Sequence, residues 1–292
     1  MKKTLVTKAV IPVAGFGTRF LPATKAQPKE MLPLIDKPVI QFIVEELVAS
    51  GIKEIVLITN GDKRAIEDHF DVSFELESRL KKDGKTEYLR EVRRIANLAK
   101  FVYVRQSEQL GTGHALMMAE EVIGSDPFVY CYGDDVFDAR IPATKQLLKK
   151  FYQHNKTIVG VTEVPREMVN RFGVIDPKEI SNGFYRVMGS VEKPEPGTEP
   201  SNLISSGRFV FTPKIFHALH QIKPGKHGEL WAWDAVEYLR KREPVYAVRM
   251  NAVYYNCGNK LEFLKAQVRE GVKHSEVREG FKNFLKEFVP SL

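Results

Sequence analysis

Residues 10–33 read VIPVAGFGTRFLPATKAQPKEMLP: a short apolar run, two glycines, an arginine, and two lysines set among prolines. The run KAVIPVA (8–14) is β-rich, so the glycines fall at a strand's carboxyl end, where an open parallel sheet places its ligand. Gly15 and Gly17 carry no Cβ and let backbone N–H groups approach that ligand closely. A dinucleotide fingerprint would need glycine at position 20, which is Phe20, and a Walker loop would need GxxxxGK followed by Ser or Thr. Neither pattern is present. Instead Thr18 and Arg19 follow the glycines, and Lys25 and Lys29 lie in a segment stiffened by Pro22, Pro28 and Pro33. Arginine offers a planar fork for phosphate oxygens, lysine a compact charge, and proline lowers the entropy lost in fixing them. Such a cluster suits a triphosphate better than a monophosphate.

Outward from this stretch, strand-like and helix-like segments alternate. KPVIQFIVEELVASG carries apolar residues at 40, 43, 44, 47 and 48 with Gly51 as a stop, and KEIVLITN is again a strand. Helical patterns run from Lys63 to about Lys100, broken at DGK; then come strand FVYVR, helix GHALMMAEEVIG and strand PFVYCYGDD. Strands separated by helices of this length predict parallel βαβ units in a doubly wound α/β sheet. From about residue 157 the pattern becomes mixed, with strands in TIVGVTEVP, FYRVMGSVEKP, NLISSGRFVFTP and PVYAVRM and helices near 213–220, 229–241 and 258–273. No repeat, linker or composition break divides the chain. The expectation is one domain over 1–292: a nucleotide-binding half to about 156, a sugar-phosphate half over about 157–275, and a C-terminal helix over 276–292.

The bulk numbers set limits. The 292 residues, 43% hydrophobic and 28% charged, are those of a globule whose core needs no disulfide or metal. No apolar run reaches the roughly 18–20 residues of a membrane span, and Lys8 and Pro12 break the N-terminal stretch before it could act as a leader, so a cytoplasmic protein is expected. Cys131 and Cys257 stand far apart, without the spacing of a disulfide scaffold or zinc site. The net charge of +7 suits an anionic partner, but no block of five or more basic residues marks a nucleic-acid surface. Basic residues beside glycines point to phosphates instead.

The pattern AGFGTRFLPATKAQPKEMLP resembles the signature of the bacterial UTP–glucose-1-phosphate uridylyltransferases, within the sugar-1-phosphate nucleotidyltransferase family. RQSEQLGTGHAL (105–116), GDD (133–135), RFGVID (171–176), VEKP (191–194) and NCGNKLEFLKA (256–266) match in the same order, so the resemblance covers nearly the whole chain. It implies a Rossmann-like, mainly parallel mixed sheet with helices on both faces, of the glycosyltransferase-A kind. It implies Mg²⁺ as cofactor, and UTP, glucose 1-phosphate, UDP-glucose and pyrophosphate as partners, with no nucleic acid or membrane. A homodimer or homotetramer follows by analogy, with the apolar positions 277, 281, 284 and 288 as a docking face.

Residue by residue, the resemblance implies that Gln106 reads the uracil edge, which an amide can match by donating to O4 and accepting from N3–H. Gly111 and backbone groups of Ala14 and Gly15 complete that pocket. Thymine presents the same edge, so a thymidylyltransferase is the second reading. Arg19, Lys29 and, less directly, Lys25 carry triphosphate charge, with Gly17 and Thr18 in the same loop. Glu192 holds sugar hydroxyls, Lys193 pairs with the sugar phosphate, and Gly173 admits the sugar to the backbone. Asp134 anchors the metal, as a strand-end carboxylate beside substrate phosphates can. Asp135, on the opposite side if the strand continues, is a supporting candidate. Relatives commonly carry aspartate where this chain has Asn256, so two-carboxylate ligation is in doubt, with Asp234 a possible compensating donor. That departure also keeps open a catalytically idle nucleotide-sugar sensor. His114 opens a helix and is expected to be structural rather than a base.

Overall fold

A strand that is apolar at consecutive positions must be covered on both faces. In β1 (Lys8–Pro12), Ala9 and Ile11 enter one buried cluster and Val10 the other, as the two-residue period requires. The computed structural model describes residues 5–225 and 228–291. Residues 1–4, part of the N-terminal stretch read above, and residue 292, at the end of the expected C-terminal helix, lie outside the described residues.

After β1 come a short β2 (Pro33–Leu34) and β3 (Lys37–Pro38) paired with each other, then helix α1 (Val39–Ala49). Residues Val39, Ile40, Ile43, Val44 and Leu47 of α1 are buried at helical spacing, each contributing roughly 1.5–3 kcal/mol of apolar burial. β4 (Glu54–Thr59), three helices α2 (Arg64–His69), α3 (Phe74–Lys82) and α4 (Thr86–Ala96), and β5 (Lys100–Arg105) follow. The single helix expected over GHALMMAEEVIG is two, α5 (Thr112–Met117) and α6 (Glu120–Ile123), leading into β6 (Phe128–Cys131).

A second correction concerns the carboxylates. β6 ends at Cys131; Gly133 and Asp134 form a turn, and Asp135 begins a separate strand, β7 (Asp135–Asp138). The chain continues through α7 (Ala143–His154), β8 (Ile158–Glu163), the hairpin β9 (Gly173–Ser181) and β10 (Phe184–Glu192), and β11 (Leu203–Phe211). It ends with α8 (Lys214–Gln221), α9 (Ala232–Arg240), β12 (Tyr246–Arg249), β13 (Val253–Asn256), α10 (Lys260–Gly271) and α11 (Arg278–Phe288). β9 was not expected from the sequence: beyond Ile175 its residues are polar and largely exposed, so it lacks an apolar signature.

Nine strands form one sheet in the order β5-β4-β1-β6-β11-β8-β12-β10-β9. β5, β4, β1 and β6 are mutually parallel, as are β8 and β12; β11 and the β9–β10 hairpin join antiparallel. The chain leaves β1 toward β4 on one side and later returns to β6 on the other. The β1/β6 boundary is therefore the switch point, with its crevice at the strands' carboxyl ends. β7 pairs with β13 as a small separate sheet in which Asp135 opposes Asn256, and Val174 of β9 pairs with Ile204 of β11.

Gly207 closes this region from β11. Its φ is left-handed, at +64°, and a Cβ there would overlap the Asp135 carboxylate and come within 2.8 Å of the Tyr132 ring. Gly207→Ala is expected to lower stability by about 2–4 kcal/mol through left-handed strain plus overpacking, read as a fall in denaturation midpoint. An unchanged midpoint would contradict this account of the turn.

Candidate active site

The glycine loop is held by its carbonyls. Ala14 O accepts from Asn60 Nδ2 and from Gln109 Nε2, each at 2.8 Å, and Gly15 O accepts from Lys63 Nζ at 2.6 Å. The amides of Gly15, Phe16 and Gly17 have no acceptor among the described residues. Of the Ala14 and Gly15 backbone groups expected to complete the base pocket, the carbonyls are thus already engaged, and amides are what the loop presents. Gly17 is left-handed, φ +66°, and a Cβ there would lie 3.1 Å from Lys29 Cβ, so the turn needs glycine for both hand and space. Thr24 Oγ1 donates to Gly17 O at 2.8 Å, tying the proline segment back to the loop. Thr18, Arg19 and Lys25 are exposed, and neither cation makes an ion pair among the described residues.

Lys29 faces Asp134, Nζ to Oδ2 2.5 Å, across the switch point. Burial lowers the Lys29 pKa, but the charges of Asp134 and Glu30 outweigh it and raise the net value above that of a free lysine. The ammonium therefore stays charged and occupies a place suited to another cation. Gly258 lies beside the same carboxylate: a Cβ on it would overlap Asp134 Oδ2 and stand 3.0 Å from Asn256 Oδ1. Both oxygens thus converge on one small volume. The Asn256 amide nitrogen turns the other way and donates to Asp135 Oδ1 at 3.0 Å.

Asp135 itself is not a free ligand. It is buried, accepts from Tyr254 OH at 2.7 Å, and burial followed by the Asp134 charge pushes its pKa well above the ordinary carboxylate range. Arg208, also buried, reaches the Asp135 carbonyl at 3.3 Å and Glu46 Oε2 at 3.4 Å, supporting the turn from behind.

Gln106 is buried at the end of β5, with Nε2 meeting His114 Nδ1 at 2.9 Å and Gly111 O at 3.4 Å. His114 thus orients the amide, in agreement with a structural reading of that histidine. A third group gathers around Gly173. A Cβ there would lie 2.9 Å from both Glu192 Oε2 and Trp233 Nε1, and that indole N–H is buried without a partner among the described residues. Burial, offset by Lys193 and reinforced by Asp234, raises the Glu192 pKa to about 7. Asp234 thus lies close enough to Glu192 for its charge to act on that carboxyl. Lys193 adopts φ +47°, a strained conformation for a side-chain-bearing residue, and its Nζ lies 5.1 Å from the Trp231 ring centroid. The Glu192 charge also acts on the buried Tyr132 hydroxyl, whose pKa burial raises first, so this pocket adjoins the Gly133–Asp134 turn.

The Nucleotidyl transferase family model matches residues 8–270. The chain belongs to the nucleotidyl transferase family. Among its relatives, the UTP–glucose-1-phosphate uridylyltransferase of Bacillus subtilis is 46% identical over 286 residues, covering 98% of this chain and 97% of the relative. A UTP-bound UGPase from Acinetobacter baumannii superposes with a TM-score of 0.90 at 36% identity, over 97% of this chain and 99% of that one. A UDP-glucose pyrophosphorylase complexed with UDP-glucose gives 0.85 at 36% identity, over 92% and 100%.

Within this nucleotidyl transferase, Glu30, Lys63, Trp231 and Trp233 were not picked out from sequence. Lys63 sits in GDKRAIEDHF and reads as solvated charge; only its partners 33 and 48 residues away bury it. The ELWAWDA segment did carry a signal, two tryptophans two apart beside an acid. The buried Glu192 supplies a pH test. Its folded pKa of about 7 lies above the unfolded 4.5, so the charged form is penalised above pH 7 and the penalty is relieved as pH falls toward 4.5. Glu192→Gln should raise the melting temperature clearly at pH 8 and little at pH 5; equal gains at both would contradict the assignment.

Proposed function

We propose that the protein transfers the uridylyl group of UTP to α-D-glucose 1-phosphate, releasing pyrophosphate and forming UDP-glucose. The observation that carries this reading is the convergence, at the switch point, of unpaired loop amides, the Lys29 ammonium and the Asp134 carboxylate, beside a second pocket bearing Glu192 and Lys193. Relatives with 44–46% identity over nearly their whole length carry that reaction in their names.

The sugar phosphate is already ionised, and its oxygen attacks the α-phosphorus in line while pyrophosphate departs. No general base is required. Alignment of two bound reactants can supply on the order of 7–11 kcal/mol, and fixed cations neutralise the developing charge. Arg19, Lys29 and Lys25 take triphosphate oxygens together with the amides of Gly15, Gly17 and Thr18; Lys193 holds the attacking phosphate. Gln106, with Gly111 and Ala14 at its sides, reads the base, and Glu192 beside Gly173 takes sugar hydroxyls. The Trp233 indole N–H in that pocket, without a hydrogen-bond partner among the described residues, suits a hydroxyl-bearing ligand.

Asp134 and the Asn256 amide oxygen fit a hard divalent cation such as Mg²⁺, which takes one or two protein oxygens and completes its shell with phosphates and water. When bound, that ion would neutralise triphosphate charge and polarise the α-phosphate. The reading places the protein in the cytoplasm as a homodimer or homotetramer; Phe284 and Phe288 of α11 offer an exposed apolar face. No helix among the described residues is long and apolar enough to cross a membrane.

Purified protein with UTP, glucose 1-phosphate and Mg²⁺ should release pyrophosphate, faster than with dTTP and not after chelation. Lys193→Ala should lower kcat/KM for glucose 1-phosphate by about 10²–10³-fold while leaving KM for UTP near its starting value. Bound UDP-glucose without turnover would instead establish a sensor, and preference for dTTP a thymidylyltransferase.

A further inference from the structure

We infer that Lys63 is a positioning residue for the nucleotide subsite: its buried ammonium joins Gly15 O to Glu30 and so sets the direction of the loop amides. The inference rests on the nucleotidyl-transfer reading above.

Lys63 directly precedes α2 and is only 3% exposed. Its Nζ donates to Gly15 O at 2.6 Å and Glu30 Oε2 at 3.1 Å, and Glu30 is itself 1% exposed. A charge withdrawn from water in this way persists only when paired and hydrogen-bonded, and both conditions are met. The geometry reaches the ligand through the peptide plane. In a trans peptide the C=O and the following N–H point in opposite directions. With Gly15 O fixed on Lys63, the Phe16 N–H is turned to the other side, and Asn60 and Gln109 act on Ala14 O to turn the Gly15 N–H likewise. These are two of the amides left without an acceptor. Glu30 carries the same restraint to Lys29, whose Nζ stands 4.0 Å from Glu30 Oε1. One ammonium thereby holds the loop amides and the neighbouring phosphate-binding lysine in a common frame, though it touches no substrate itself.

Lys63→Met, which keeps the stem and removes the donors, should weaken UTP binding by about tenfold or more, as expected when a charge-assisted hydrogen bond is lost, with KM for glucose 1-phosphate changing less than about twofold. UTP affinity is read by calorimetry on the folded protein, and both KM values by pyrophosphate release. Lys63→Gln retains an amide donor for Gly15 O and should recover part of the loss; it also decides the matter if Lys63→Met does not fold. A folded variant that binds UTP as tightly as the parent, or one whose two KM values rise together, overturns the inference. A parent protein that binds no UTP overturns the reading beneath it.

Discussion

The pairing of Lys29 with Asp134 is the contact on which the rest of the site depends. It joins the two segments that leave the sheet at the switch point, the loop after β1 and the turn after β6, which are distant in sequence and adjacent in space. Bringing Lys29 to that place requires a left-handed glycine at 17, where a Cβ would come within 3.1 Å of the lysine stem, and a proline-braced return of the chain. Bringing Asp134 there requires that β6 stop at Cys131, with Gly133 against Val13 and Gly207 behind Asp135. The glycines are thus spent on close approach, and the charges meet because the backbone is free to turn.

Around this pair lies a chain of ionisable contacts: Lys63 to Glu30, Glu30 beside Lys29, Lys29 to Asp134, and behind them Arg208, which pairs with Glu46 and reaches the Asp135 carbonyl. Buried ion pairs add little net stability because desolvation offsets their attraction, and breaking one leaves an uncompensated charge. Their value here is geometric. Each fixes one backbone segment relative to another at the carboxyl ends of the strands.

Much of this was legible in the sequence, for reasons that differ by residue. The alternation of apolar strands and amphipathic helices gave the doubly wound sheet because burial on both faces leaves a continuous apolar run in β1, β4 and β6. The glycine loop, Gln106 and the Glu192–Lys193 pair stood out through motif order. The rest depended on long-range partners. Asp135 stood as a supporting candidate on the opposite side of a continuing strand; the turn at Gly133–Asp134 instead delivers it to Tyr254 and Asn256, more than a hundred residues on. Asn256 looked like the loss of a metal ligand, yet its amide nitrogen serves Asp135 and leaves its oxygen beside Asp134. Lys63 and Glu30 gave no local sign of burial, since period and composition report which face of an element is apolar and not which charge will be enclosed there.

The Lys29 ammonium stands 2.5 Å from Asp134 Oδ2, so under the proposed function it is expected to compete there with a divalent cation. Titrating nucleotide-free protein with Mn²⁺ and following the free ion by electron paramagnetic resonance tests this most directly. The account predicts weak binding by the parent, at least about tenfold tighter binding by Lys29→Met, and loss of the gain when Asp134→Asn is added, because a like charge is removed from the carboxylate. Equal Mn²⁺ affinity in the parent and Lys29→Met would contradict it.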